Sequence, residues 1–346
     1  MLGQNKRVKI AHIHVWDKSN KGDLGIVESV QDLLRKTFKD GEIIDVPVDQ
    51  LKFADKNWLN KINDCDLVVI GGGGIYYRYF LPYDFDFIEK IKPPIAILGV
   101  GYINEFGSAP LSTDEIQSVI ALNNKSALSS VRDNNTYNFL RSNGYTSELS
   151  VIGDPAVLLE ESQVSIETKG VSVGFNLNYS GWLGFGKHQE NILTAYRESM
   201  DKLIKNYDAK IFYLVHHPGE YDIIPKLGRD MEIIDMSPKQ QKFVYSKLNA
   251  VVGMMLHSVV MAFGANTPVV SVAYDIRNVG FMDFIGQGDF LILPENISPE
   301  ILYSKLKLLL DKNDIYHKKY TEKISDISTS TDEFLKKISS IVPNTH

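Results

Sequence analysis

The chain runs to 346 residues, room for two domains of ordinary size with a full core in each. Hydrophobic residues make up 44% and charged residues 23%, a globular composition, and the net charge of −6 argues against a general nucleic-acid binder. A single cysteine, Cys65, excludes an intrachain disulfide and any multi-cysteine zinc site, and no apolar run approaches the roughly 18 residues of a membrane span.

The first half alternates strand and helix. Residues 8–16 read as a buried strand with no secretion signal ahead of it, which points to the cytoplasm. Asn20-Lys21-Gly22-Asp23 reads as a turn, and residues 24–38 carry helical periodicity through Ile26, Val30, Leu33, Leu34 and Phe38. A strand near Ile43–Val48 and a helix near 56–63 lead past Cys65, read as a buried structural thiol. The apolar strand 66–70 exits into Gly71-Gly72-Gly73-Gly74, and the strand from Ile95 exits through Gly99 and Gly101. A helix at 112–124 precedes the strand Ala127–Val131, which ends in Arg132-Asp133; the helix 133–142 then stops at Asn143-Gly144.

After Val151-Ile152-Gly153-Asp154-Pro155, the polar run 160–169 reads as a linker. The alternation restarts at Val171 and continues with a helix at 189–206 and the strand Lys210–Val215, followed by His216-His217. A strand near Glu232–Asp235 and a helix at 238–247 bring the chain to the apolar strand before Met255-Leu256-His257-Ser258. A further strand runs into Tyr274-Asp275-Ile276-Arg277, then come a strand at 290–293, a helix at 298–311 and a helical tail from 313. Strands and helices at this spacing predict an α/β chain of parallel sheets covered on both faces. The expected units are two doubly wound, Rossmann-like domains, 1–160 and 170–312, facing across a cleft, with a tail at 313–346.

Several residues invite a chemical and a plain reading together. The glycines at 72–74 follow a buried strand and could turn backbone N–H groups toward an anion, yet they are neither a dinucleotide fingerprint nor a P-loop. Asn20 shares its stretch with Asp23, and Asp23 is a helix cap or a catalytic carboxylate, as is Asp154. Arg132 and Arg277, at strand exits in different halves, could fork onto phosphate or carboxylate, or pair with a neighbouring acid. The aromatic run around Arg78 could stack on a sugar or pack an interface. His257 alone reads as a structural histidine, and Ser258 as a helix cap. His216 and His217, being adjacent, lack the spacing of a zinc motif, so no metal is expected.

Taken in order, Asn20–Asp23, the glycines 71–74, Gly99-Val100-Gly101, Ser130–Asp133, Val151–Pro155, Leu256-His257-Ser258 and Pro268 with Tyr274-Asp275 resemble the polysaccharide pyruvyl transferase family. The resemblance covers about residues 8 to 285. It implies a GT-B-like fold and transfer of the enolpyruvyl unit of phosphoenolpyruvate onto sugar hydroxyls of a cell-surface polysaccharide or its precursor. By that resemblance His257 is the acid, Asp23 or Asp154 accepts the hydroxyl proton, Arg132 and Arg277 clamp the anion, and Asn20, Gly72, Gly73, Gly74, Arg78 and Ser258 are further substrate-binding candidates. Phosphoenolpyruvate would be a substrate, with no cofactor required. The partners implied are a small-molecule donor and a glycan-precursor acceptor, at the inner face of the membrane if that precursor is lipid-linked; self-association is left open.

The family commonly has arginine where this chain has Met255, and lysine where it has Arg277. Methionine cannot hold an anion, so either Arg277, Arg132 or Arg78 substitutes, or the donor differs. The rival readings are a GT-B-like glycosyltransferase taking a nucleotide sugar and a non-catalytic scaffold of a glycan-assembly complex.

Overall fold

The computed structural model describes residues 7–168, 170–179 and 186–342. Lys169, at the end of the expected linker, and the outer ends of the first and third expected segments lie outside these residues.

Two six-stranded, fully parallel sheets organise the chain. The first holds β1 (Lys9–His14), β2 (Glu42–Pro47), β3 (Leu67–Gly71), β4 (Ile95–Val100), β5 (Leu128–Val131) and β6 (Ser150–Val151) in the order β2-β1-β3-β4-β5-β6. The second holds β7 (Ser172–Phe175), β8 (Lys210–Leu214), β9 (Glu232–Ile234), β10 (Ala250–Gly253), β11 (Val269–Val272) and β12 (Leu291–Ile292) in the order β12-β11-β10-β7-β8-β9. Every residue of β3, β4, β7, β10 and β11 is buried, because helices cover both faces; that is why these strands read as unbroken apolar runs.

Each order reverses once. The first sheet grows outward in opposite directions from β1 and β3, the second from β7 and β10. At such a switch point the loops leaving the carboxyl ends of the strands splay apart and open a crevice. The residues that leave these strands are Trp16–Asn20, Gly72–Gly74, Asn176–Tyr179 and Met254–His257.

The halves are held in close register by the first helix, Lys21–Thr37. Lys21 N–H donates to the His216 carbonyl at 2.8 Å, and Lys239 pairs with Asp32 at 2.5 Å. Lys242, buried in the second half, donates to the carbonyls of Val157 and Leu159 at 2.7 and 2.6 Å. Gly22 and Gly25 lie one turn apart on the helix face that meets the second half; a Cβ on Gly22 would overlap the imidazole of His257, and one on Gly25 would sit 3.1 Å from Pro238 Cβ. The tail forms one helix, Asn313–Ser340, that crosses back: Tyr320 packs on Phe263, Ile327 lies against Gly153, and Phe334, Leu335 and Ile338 join Ile10, Val30 and Val69 beneath the first sheet. Cys65 is buried and its thiol pushed up to about 11 by desolvation, an unreactive setting.

Candidate active site

Both crevices open into one cavity of about 540 Å³. From the first half come Val15, Trp16, Asp17, Asn20, Asp23, Asp49, Gly74, Tyr77, Tyr79, Phe80, Ile103 and Glu105; from the second come Asn178, Tyr179, His216, Met255, Leu256, His257, Tyr274 and Arg277.

Asn20, and not Asp23, caps the first helix. Its side chain accepts from the backbone N–H groups of Gly22 and Asp23 at 2.9 and 3.3 Å. Asp23 is thereby released from capping and its carboxyl turns into the cavity. Burial pushes that carboxyl up to about 7; Arg277 and Arg132 pull against this, while Asp17 and Asp154 add to it. Its proton affinity is thereby brought close to neutrality.

His257 enters the cavity from the second half, in the first turn of the helix Leu256–Gly264, with its ring against Gly22. It is 6% exposed, and its Nε2 has no hydrogen-bond partner among the described residues; Asp154 Oδ2 stands 3.9 Å away, beyond bonding distance. Burial lowers its pKa well below the usual histidine range, and the charges of Arg132 and Arg277 lower it further. The ring is neutral with a lone pair to offer. The N-cap of the helix that carries it is Met255, which makes no side-chain cap, so among the described residues the first-turn N–H groups of Leu256 and His257 stand beside the cavity without a capping side chain. Met255 itself is held in place by its own N–H, which donates to Asn176 Oδ1 at 2.9 Å.

Arg277 is the arginine that reaches the cavity. Its Nε and Nη2 are held by Asp275 Oδ2 at 2.8 and 2.5 Å, and Nη2 also donates to Tyr274 Oη at 2.6 Å, which fixes the guanidinium and leaves Nη1. Arg132 lies behind the wall. It is 2% exposed and forks onto Asp133 at 3.3 Å and Asp154 at 3.2 Å, and Gly101 has no side chain because a Cβ there would overlap the guanidinium. The expectation that Arg132 clamps a ligand thus becomes a supporting role: its charge acts on His257 and Asp23 through the field, not by contact.

Other expected residues are placed elsewhere. Asp154 is buried; it accepts from Ala156 N at 3.0 Å and neutralises Arg132, so it holds the wall without lining the cavity. Ser258 is also buried and its hydroxyl donates to the Met255 carbonyl at 2.7 Å, so it neither caps the helix nor faces a ligand. Arg78 donates to the Ala109 carbonyl, away from the cavity. Of the glycine run only Gly74 lines it; Gly72 and Gly73 have φ of +87° and +121° and lie within 3.1 Å of Val27 and Val15, counting from a Cβ placed on each. They serve a close approach of this loop to the first helix at Gly72 and to the loop after β1 at Gly73.

Sequence reasoning passed over Glu105 and Asn178, took Tyr77 only as part of an aromatic run, and weighed His216 only as a metal ligand. Tyr77 donates to Glu105, and the buried His216 has Nε2 on Tyr245 Oη at 2.8 Å and faces the cavity, whereas its neighbour His217 stacks on Tyr179. The signal for His216 was its place just beyond the carboxyl end of β8.

Among solved structures the chain is similar to one from Listeria monocytogenes assigned as a UDP-N-acetylglucosamine 2-epimerase, at 14% identity and a TM-score of 0.63 over 99% of this chain and 98% of that one. It is also similar to Staphylococcus aureus MnaA solved with UDP, at 16% identity and a TM-score of 0.61 over 94% of each chain. Against CalG4, the calicheamicin glycosyltransferase, it shows 12% identity and a TM-score of 0.52 over 98% and 99%. At these identities the likeness is one of fold, and the fold is GT-B-like. No curated protein gives a significant match. The family model for polysaccharide pyruvyl transferase matches residues 20–276, from the cap of the first helix to the start of the one that carries Arg277. A match over that much of the sequence settles membership: the chain belongs to the polysaccharide pyruvyl transferase family, a family of transferases.

Proposed function

We propose that the protein transfers the pyruvyl unit of phosphoenolpyruvate to hydroxyls of a sugar in a surface-polysaccharide precursor. The observation that carries this reading is the meeting, across one cavity, of a carboxyl poised near neutrality, a buried neutral imidazole with a free lone pair, and a fixed guanidinium.

Protonation of the donor's methylene carbon makes a methyl group and an oxocarbenium-like carbon. A sugar hydroxyl attacks that carbon, phosphate leaves, and a second hydroxyl closes the ketal. Of the two hydroxyl protons released, the balance is one gained by the methyl group and one carried off with phosphate. The reaction needs a proton donor, a proton acceptor and an anion site.

The protonation states in the free protein favour Asp23 as the donor and His257 as the acceptor, the reverse of the roles implied by resemblance. Asp23 holds a proton near pH 7, while His257 is kept neutral by its surroundings. The anion would lie against the uncapped N–H groups at the start of Leu256–Gly264 and Arg277 Nη1, in place of the arginine that Met255 replaces. Tyr77, Tyr79 and Phe80, with Asp17 and Asp49 nearby, offer the aromatic faces and hydroxyl acceptors that sugars use.

The test is phosphate release from phosphoenolpyruvate in the presence of nucleotide-linked and lipid-linked sugars. Release that depends on a sugar supports the proposal. Absence of release across the panel, together with no binding of phosphoenolpyruvate and a thermal shift with a nucleotide sugar, overturns it in favour of glycosyl transfer.

A further inference from the structure

Outside the cavity, β1 places His12 and His14 two residues apart, so both rings leave the same face of the strand. Asp45 of β2 is the neighbour of His12 in the parallel register. One ligand-capable atom from each of the three lies within 4.8 Å of the others. The hydrogen bonds indicate which atoms are available. His12 Nε2 meets the Gly71 carbonyl at 3.2 Å, which can only accept, so that nitrogen carries the N–H and Nδ1 keeps its lone pair. Nδ1 is buried, and it has no partner among the described residues. His14 Nδ1 meets the Val15 carbonyl at 2.7 Å, which by the same argument puts a proton on Nδ1. His14 Nε2 then faces Asp45 Oδ1 at 3.0 Å.

Each imidazole therefore gives one N–H to a backbone carbonyl and keeps its other nitrogen as a lone-pair donor. This is the arrangement that fixes tautomer and ring orientation in histidine metal ligands. The carboxylate is supported too: Gln31 Nε2 donates to Asp45 Oδ1 at 2.6 Å, and Arg35 Nη2 holds the Gln31 oxygen at 3.1 Å. Two ligands about 2.0–2.1 Å from a tetrahedral zinc stand roughly 3.3 Å apart, close to the His14–Asp45 separation. The histidines are buried while the side chain of Asp45 is 49% exposed, which gives an ion a route in and a position for water.

We propose that His12, His14 and Asp45 bind a divalent transition-metal ion of the zinc class, with water completing the coordination. The site does not depend on the reading of the cavity. It touches that cavity through Val15, whose carbonyl holds His14 Nδ1, and Trp16, which stacks on His14 with centroids 5.4 Å apart; both line the wall.

The experiment uses full-length protein stripped with chelator and titrated with Zn²⁺ by calorimetry and with Co²⁺ by visible absorption. The expected result is one equivalent bound, d–d bands of a four-coordinate Co²⁺, and a rise in melting temperature with added zinc. His14→Ala and Asp45→Asn should each weaken binding by about tenfold or more, and His317→Ala, on the tail helix, should leave it unchanged. His12 is too deeply buried for its loss to be informative, and circular dichroism of the other variants establishes that they fold. No binding by the stripped protein, or equal affinity in the wild type and both site variants, overturns the proposal.

Discussion

Replacing Asp23 with Asn should stabilise the protein at alkaline pH while removing its activity. The folded-state carboxyl is raised from an ordinary 3.8 to about 7, chiefly by burial. Each tenfold change in proton affinity is worth about 1.36 kcal/mol, so holding Asp23 ionised in the folded protein costs about 4 kcal/mol relative to the unfolded chain. The sign follows from proton counting. Between pH 3.8 and about 7 the folded state keeps a proton that the unfolded state has lost, so stability falls as pH rises through that window and levels off above it. Asparagine has no such transition. Denaturant unfolding of wild type and Asp23→Asn should give similar stabilities near pH 4 and an advantage of about 4 kcal/mol for the variant at pH 8. Phosphate release should be lost at both. An advantage of equal size at both pH values would show that Asp23 ionises like a surface carboxylate, and the assignment of the proton donor would fall with it.

Two further substitutions test the walls. Gly22→Ala would ordinarily strengthen a helix by up to about 1 kcal/mol, but here the new methyl meets the His257 ring, so unfolding should show a loss of about 1–3 kcal/mol and steady-state kinetics a lower kcat; a gain in stability would mean that the helix does not approach His257. Met255→Arg restores a cation at the head of Leu256–Gly264, and one charge-assisted hydrogen bond worth about 1.5–3 kcal/mol should lower KM for phosphoenolpyruvate about tenfold or more; an unchanged KM would show that the helix terminus and Arg277 already satisfy the anion.

Much of the architecture was legible because buried parallel strands are apolar runs, and their glycine and charged exits mark the carboxyl ends where sites form. The tail was legible as a helix but not in its docking, since Phe334 and Ile338 reach a sheet whose strands begin some 300 residues earlier. Within the site, the sequence places Asn20 and Asp23 three residues apart, both able to cap; only the geometry decides that Asn20 caps and Asp23 is free. Arg132 and Arg277 look alike as strand exits, yet Asp154 and Gly101 draw Arg132 behind the wall. Ser258 looked like a cap because the residue that begins its helix is a methionine, a poor signal for a start. The histidines of β1 were hidden in plain alternation, since their meaning depends on Asp45 in the next strand and on carbonyls at Val15 and Gly71.

The lining of the cavity poses a problem for an anionic donor, because Asp17, Asp23, Asp49 and Glu105 face it with Arg277. Part of the answer is that Asp23 need not be charged. On the proposed reading, a phosphate and a carboxylate brought close to it would disfavour its ionised form still further, so that binding of the donor would raise the carboxyl above its resting value near 7. The donor's own charge would thus load the acid that its methylene carbon requires, and the same proton would relieve the repulsion. This coupling has a kinetic signature. The alkaline limb of kcat/KM reports the free enzyme and should fall near pH 7, whereas the limb of kcat reports the donor complex and should lie at higher pH. If the two limbs coincide, the donor does not bind beside Asp23, and its proton must reach the substrate from another group on the cavity wall.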